Sequence, residues 1–69
     1  MSSKIQAVLF PKSHYKKVDC IEWLKNHKYT PLKEHTTEHY YRYRLLVPNF
    51  TRYRSIVLPN HIVLIYGYS

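Results

Sequence analysis

Tyrosines and arginines alternate along His39-Tyr40-Tyr41-Arg42-Tyr43-Arg44, and the pattern returns in Arg52-Tyr53-Arg54. All four arginines of the protein lie in these two runs. A guanidinium group is a planar fork with a permanent charge, so it grips phosphate or carboxylate through two parallel hydrogen bonds. A neighbouring aromatic ring offers a face for an unpaired base, worth about 1–3 kcal/mol per base. Residues of these types in this order are suited to recognising an anion, with nucleic acid as the leading ligand. Arg42, Arg44, Arg52 and Arg54 are the expected phosphate contacts, with Tyr40 and Tyr53 stacking or packing beside them. The four arginines share one patch if Arg42 and Arg44 point away from the helix and Arg52 and Arg54 lie across a hairpin from them. The competing reading is a solvated strand face, its arginines resting on tyrosines or paired with Glu34 and Glu38.

Lys12, Lys16 and Lys17 cluster before and at the start of a helix and can extend a phosphate-tracking surface. Lysines in such places also serve simply to solvate a helix. His35 and His39, four apart and next to Glu34 and Glu38, raise the question of a metal. No Cys-x-x-Cys or His-Glu-x-x-His spacing supports one, and no metal or other cofactor is expected. Cys20 has no signature of a nucleophile, which would need a base to lower its pKa; a buried, inert thiol is expected. Trp23 is expected in the core. Glu34, Glu38 and His39 are too few, on too small a basic domain, to form a water-excluding cleft, so the protein is expected not to be an enzyme.

Composition narrows the class further. The chain has 69 residues, enough for one domain, and 45% are apolar. A domain of this size buries only about 60% of its unfolded surface, which makes association with a second copy attractive. Eleven Lys and Arg against four Asp and Glu give a net charge of +7. That balance favours nucleic acid, an anionic surface or an acidic protein. With one cysteine there is no internal disulfide, which fits a reducing compartment. The apolar run Ile5 to Phe10, stopped by Pro11, is too short for a signal peptide or a membrane span. The expected setting is soluble and intracellular, without a membrane partner.

The elements that must position these residues follow from periodicity. Ile5-Gln6-Ala7-Val8-Leu9-Phe10 reads as a central strand, ended by Pro11, which has no N–H to donate. Ser13 is a candidate N-cap for a helix over Lys16 to His27. Val18, Ile21, Leu24 and Lys25 are expected on one helical face, with Trp23 at its border and Cys20 beside it. Pro31 stops the helix by Thr30. Lys28 stands where glycine would more readily take a left-handed cap, so a loosely closed end is expected. Leu32 to Thr36 is a weak strand or an extended connection, and Thr37-Glu38 a turn.

His39 to Val47 alternates as a strand, with Tyr41, Tyr43, Leu45 and Val47 under the helix and Tyr40, Arg42, Arg44 and Leu46 on the other side. Pro48-Asn49 and Pro59-Asn60 mark turns around a strand over Tyr53 to Leu58. His61 to Tyr68 closes the chain as an apolar strand in mid-sheet, suited to lie beside the first. The expected architecture is α+β, in the order β-α-β-β-β with a weak extra strand, one helix lying on one face of a mostly antiparallel sheet. The other face is left for solvent, a partner or an oligomer.

Several segments together also carry a resemblance. They are Val8-Leu9-Phe10, Trp23-Leu24-Lys25-Asn26-His27, Tyr29-Thr30-Pro31, Tyr41-Arg42-Tyr43-Arg44-Leu45 and Ile65-Tyr66-Gly67-Tyr68. In this order, across most of the chain, they resemble a small uncharacterised domain family of large double-stranded DNA viruses and bacteriophages. Lys28 departs from that pattern, which has glycine there. The resemblance implies a viral origin and a place in the host cytoplasm or nucleus, or in the virion; it supplies no active site. The resulting expectation is a non-enzymatic accessory protein that binds DNA or RNA mainly through charge. Its alternative is a small structural or protein-interaction module, such as a minor virion component or an adaptor, that self-associates or docks a protein partner.

Overall fold

The computed structural model describes residues 3–47 and 49–68. Pro48, half of the expected Pro48-Asn49 turn, lies outside them. The elements are β1 (Ser3–Pro11), α1 (Lys17–Asn26), β2 (Lys33–Thr36), β3 (Tyr40–Arg44), β4 (Arg52–Val57) and β5 (Val63–Tyr68). The five strands form one sheet in the order β2-β3-β1-β5-β4. Every neighbouring pair is antiparallel. The α+β architecture is as expected, and the extended segment before Thr37 is a true strand. The two most apolar strands, β1 and β5, lie side by side within the sheet. There both of their edges are hydrogen-bonded to a neighbouring strand.

The covered face is organised around Phe10. Its ring meets Tyr15 and Trp23 edge-on at 5.6 Å each and Tyr43 at 5.7 Å. Val8, Cys20, Leu24, Leu45, Ile62 and Leu64 complete the buried cluster. Edge-to-face contacts of this kind add about 0.5–1.5 kcal/mol each beyond the area they bury. Cys20 is buried as expected. Burial, followed by the nearby Asp19 charge, pushes its thiol up to about 11. The Tyr43 hydroxyl faces this weakly bonding thiol and has no full hydrogen-bond partner; burial raises its pKa as well.

The helix turns a different side inward from the one the pattern suggests. Cys20 and Leu24 are buried and Trp23 is half-buried, whereas Val18 and Ile21 are exposed at 64% and 52%. Residues 20, 23, 24 and 27 share one stripe of a 3.6-residue helix, and residues 18, 21 and 25 lie round the far side. Trp23, edge-on to Phe10, anchors the stripe that wins.

Both helix ends correct the sequence reading. Lys16, not Ser13, is the N-cap, and its N–H donates to Asp19 Oδ2 at 2.9 Å. Ser13 lies in the turn in which the His14 and Tyr15 N–H groups donate to Pro11 O at 3.1 and 3.0 Å. At the other end Lys28 takes φ 61°. Its N–H reaches Lys25 O at 3.1 Å and the Tyr29 N–H reaches Leu24 O at 2.8 Å. This is a complete Schellman closure with a lysine in the glycine position, so the end is closed, against the steric preference of a residue with a Cβ.

Register assigns the faces, because directly paired residues point the same way. Val8 pairs with Tyr43 and Leu64, which places Tyr41, Tyr43, Leu64 and Tyr66 under the helix. Ala7 pairs with Arg44 and Ile65, which places Arg42, Arg44, Val63, Ile65 and Gly67 on the open face. β3 ends at Arg44 instead of continuing to Val47. The Leu45 and Leu46 N–H groups both turn back onto Gln6 O at 2.7 and 3.2 Å. Val47, expected under the helix, is consequently exposed. The register shift between Ile5 and Ala7 makes room for this bend. Gln6, buried there, donates from Nε2 to Leu46 O at 3.0 Å.

Candidate nucleic-acid interface

The arginines divide into two pairs. β3 and β4 are separated by β1 and β5, a distance of about 14 Å at normal strand spacing. Arg54 pairs with Tyr66 and Arg52 with Tyr68, so both point to the helix side of the sheet. Arg42 and Arg44 point to the open side. The single four-arginine patch is therefore not formed. The segment between the two runs is not a hairpin; it crosses the end of the sheet and sets β4 beside β5.

The expected lysine extension is also on the other side. Lys17 pairs with Glu34 at 2.9 Å, and this contact raises the lysine pKa. Lys12 Nζ sits 5.4 Å from the centre of the Tyr41 ring, under the helix. Lys16 is engaged as the N-cap through its backbone. Tyr40 and Tyr53 are on the open face at opposite corners, Tyr40 beside Pro11 and Tyr53 beside Gly67.

The open face does concentrate cations, with a different membership. Lys33 pairs with Arg44 and His35 with Arg42 across β2 and β3. Together with Gln6 and Thr37, these four line a depression of about 290 Å³. Lys33 and Arg44 are like charges placed directly opposite each other, which disfavours strand pairing by roughly 0.2–1 kcal/mol. Glu34 points to the helix side and is taken by Lys17. Glu38 lies 3.9 Å from His39 at the turn. Among the described residues, no arginine forms an ion pair with a carboxylate. The Arg44 Nε–H is buried without a partner, so the guanidinium has no internal acceptor on that side.

Beyond the depression the open face becomes apolar. Leu9 on β1 and Val63 and Ile65 on β5, all part-exposed, form its middle beside the fully buried Ala7, and Val57 lies on β4. At the corner diagonally across from Tyr40 is Gly67. A Cβ on this residue would stand 2.3 Å from the Phe50 ring, so the ring lies directly on the glycine backbone. Phe50 meets Tyr53 edge-on at 6.0 Å. Its N–H donates to the Tyr53 hydroxyl at 3.4 Å. The Thr51 N–H and hydroxyl both donate to Tyr68 O, at 3.0 and 2.9 Å, and pin the segment in place.

Lys33, His35 and Phe50 were not singled out for this surface from sequence. The available signals were a glycine inside an apolar strand and a lone phenylalanine in a polar connection. The histidines raised as metal candidates do not form a centre: among the described residues no three His, Cys, Asp or Glu side chains converge. No helix among the described residues is long and apolar enough to cross a membrane. Comparison with protein-family models, with characterised proteins and with solved structures finds no match for the chain.

Proposed function

We propose that this chain is a non-enzymatic nucleic-acid-binding protein that holds the phosphate backbone on the open face of its sheet. The contacts are Arg42 and Arg44, with Lys33 and His35 beside them. The observation that carries this reading is the pairing of Lys33 with Arg44 at one depression that Arg42 also lines, where among the described residues no carboxylate pairs with an arginine. An oxyanion would neutralise that repulsion and use the bidentate geometry of the arginines. Binding of this kind is largely electrostatic and weakly selective for sequence. Service as an accessory protein of a DNA virus or phage is part of the proposal and rests on the sequence resemblance alone.

The test is fluorescence anisotropy of labelled single-stranded DNA, duplex DNA and RNA over a range of salt concentrations. Affinity should fall steeply with salt. The double variant Arg42→Ala, Arg44→Ala should bind more weakly, with a salt slope shallower by about 1.4 on single strands. Unchanged affinity and slope in that variant would remove this face from consideration.

A second reading, a structural or protein-interaction module, is favoured by β4. All six of its residues are exposed, Val57 at 67%, and among the described residues its outer edge has no strand partner. Such an edge can add a strand from another chain. A stable oligomer in light scattering, with no affinity for any nucleic acid at low salt, would select this reading.

A further inference from the structure

We propose that Phe50 and Tyr53, seated at the Gly67 corner, form a stacking platform for an unpaired base, so that the open face takes single-stranded nucleic acid in preference to duplex. The proposal deepens the nucleic-acid reading and rests on it. Three features converge on the corner. Gly67 presents bare backbone, and the Phe50 ring lies against it, so one ring face is packed and the ring is held without a flexible support. Tyr53 stands edge-on to that ring and is 46% exposed. Lys4 pairs with Gly67 on the same face and brings a cation to the corner.

The surface between this corner and the cationic depression suits a single strand. The row Lys33, Arg44, Ala7, Ile65, Ser55 runs straight across all five strands. Its charges are at one end, and its centre is small and apolar. From Arg44 to Tyr53 is about 16 Å, three strand spacings across and one side-chain step along. A short oligonucleotide can lay phosphates on β2 and β3, cross the part-exposed apolar middle at Leu9 and Ile65, and place a base at Phe50 and Tyr53. Duplex DNA cannot do the same. Its major groove admits a helix or a two-stranded ribbon, not the flat face of five strands, and its bases are not free to stack on a protein ring.

The experiment compares a labelled deoxythymidine oligomer with an abasic deoxyribose-phosphate oligomer of the same length and charge, at one salt concentration. The wild-type protein should bind the base-bearing oligomer about tenfold or more tightly. The double variant Phe50→Leu, Tyr53→Ser should lose that preference yet still bind the abasic oligomer as the wild type does. Leucine keeps Gly67 covered, and a thermal melt by circular dichroism checks the fold. Tyr53→Ser alone, at an exposed position, should reduce the preference if the double variant does not fold. Arg42→Ala with Arg44→Ala should weaken both oligomers by the same factor. Equal wild-type binding to the two oligomers would overturn the platform and leave the phosphate-binding reading standing. Binding to neither would overturn both. A preference that survives the double variant, or Tyr53→Ser where that stands in for it, would show that the base stacks elsewhere.

Discussion

The two faces of this sheet are built from the same five strands and the same alternating sequence, yet they solve opposite problems. Under the helix, Phe10 gathers Tyr15, Trp23 and Tyr43 around one ring, and the tyrosines bury their ring faces or edges there. On the open side, Lys33, His35, Arg42 and Arg44 crowd together, and among the described residues no carboxylate pairs with either arginine. One face is shaped by ring and side-chain packing, the other by charges gathered on one surface. Packing and surface charge are thereby assigned to alternate residues of one strand: Tyr41 and Tyr43 face inward, Arg42 and Arg44 outward.

That division is open to direct attack. The largest effect should come from Phe10→Ala, which removes the centre of the covered face and costs about 3–5 kcal/mol. Domains are stable by only about 5–15 kcal/mol, and a small one lies toward the low end, so urea or thermal denaturation should find this variant largely unfolded. Arg42→Ala with Arg44→Ala should melt at or slightly above the wild-type temperature, since it relieves repulsion across β2 and β3. A large loss of stability in that pair would break the comparison.

Gly67→Ala tests whether the open face also has a packed element. The new methyl would collide with the Phe50 ring, and displacing the ring should cost about 1–3 kcal/mol in a chemical denaturation experiment. A wild-type midpoint would mean that the ring moves aside freely.

The covered face also has a pH signature. Cys20 titrates at about 11 in the folded protein, above its ordinary 9.0, and Tyr43 is raised above its ordinary 10.0. Both groups are neutral when protonated, and folding favours that form. The Cys20 contribution is therefore fully present below about pH 9 and is lost as pH rises through about 11, and the Tyr43 contribution is lost at still higher pH. The urea midpoint should fall across that range, and Cys20→Ala should fall less steeply. The smallest change expected is a gain. Lys28→Gly removes the Cβ penalty at φ 61° and should raise the melting temperature, by no more than about 1 kcal/mol in stability.

Much of the architecture was legible because the apolar runs are short and sharply bounded. Ile5 to Phe10 and Ile62 to Tyr66 announce two strands with neighbours on both sides, and Pro11, Pro31 and Pro59 mark their limits or those of the helix. The helix face was misread because Val18 and Ile21 are apolar and correctly spaced, while the decisive contact is the single long-range meeting of Trp23 with Phe10. The site was half legible. Alternation placed Arg42 and Arg44 on the face opposite Tyr41 and Tyr43, as found. It could not show that β1 and β5 separate the two arginine runs, because strand order depends on pairings between distant parts of the chain. Phe50 was invisible for the same reason: its importance lies in Gly67, seventeen residues on.

The placement of β1 also has a consequence for how the molecule assembles. Its partners are β3 and β5, and Ser3 pairs with Tyr68. The seam that joins the two halves of the sheet can close only after Tyr68 has been made. Folding governed by such distant pairings is slow, in the millisecond-to-second range typical of all-β topologies, despite the small size. Until then Ile5 to Phe10 waits as an exposed apolar segment, and during synthesis it is the stretch of this chain most in need of protection.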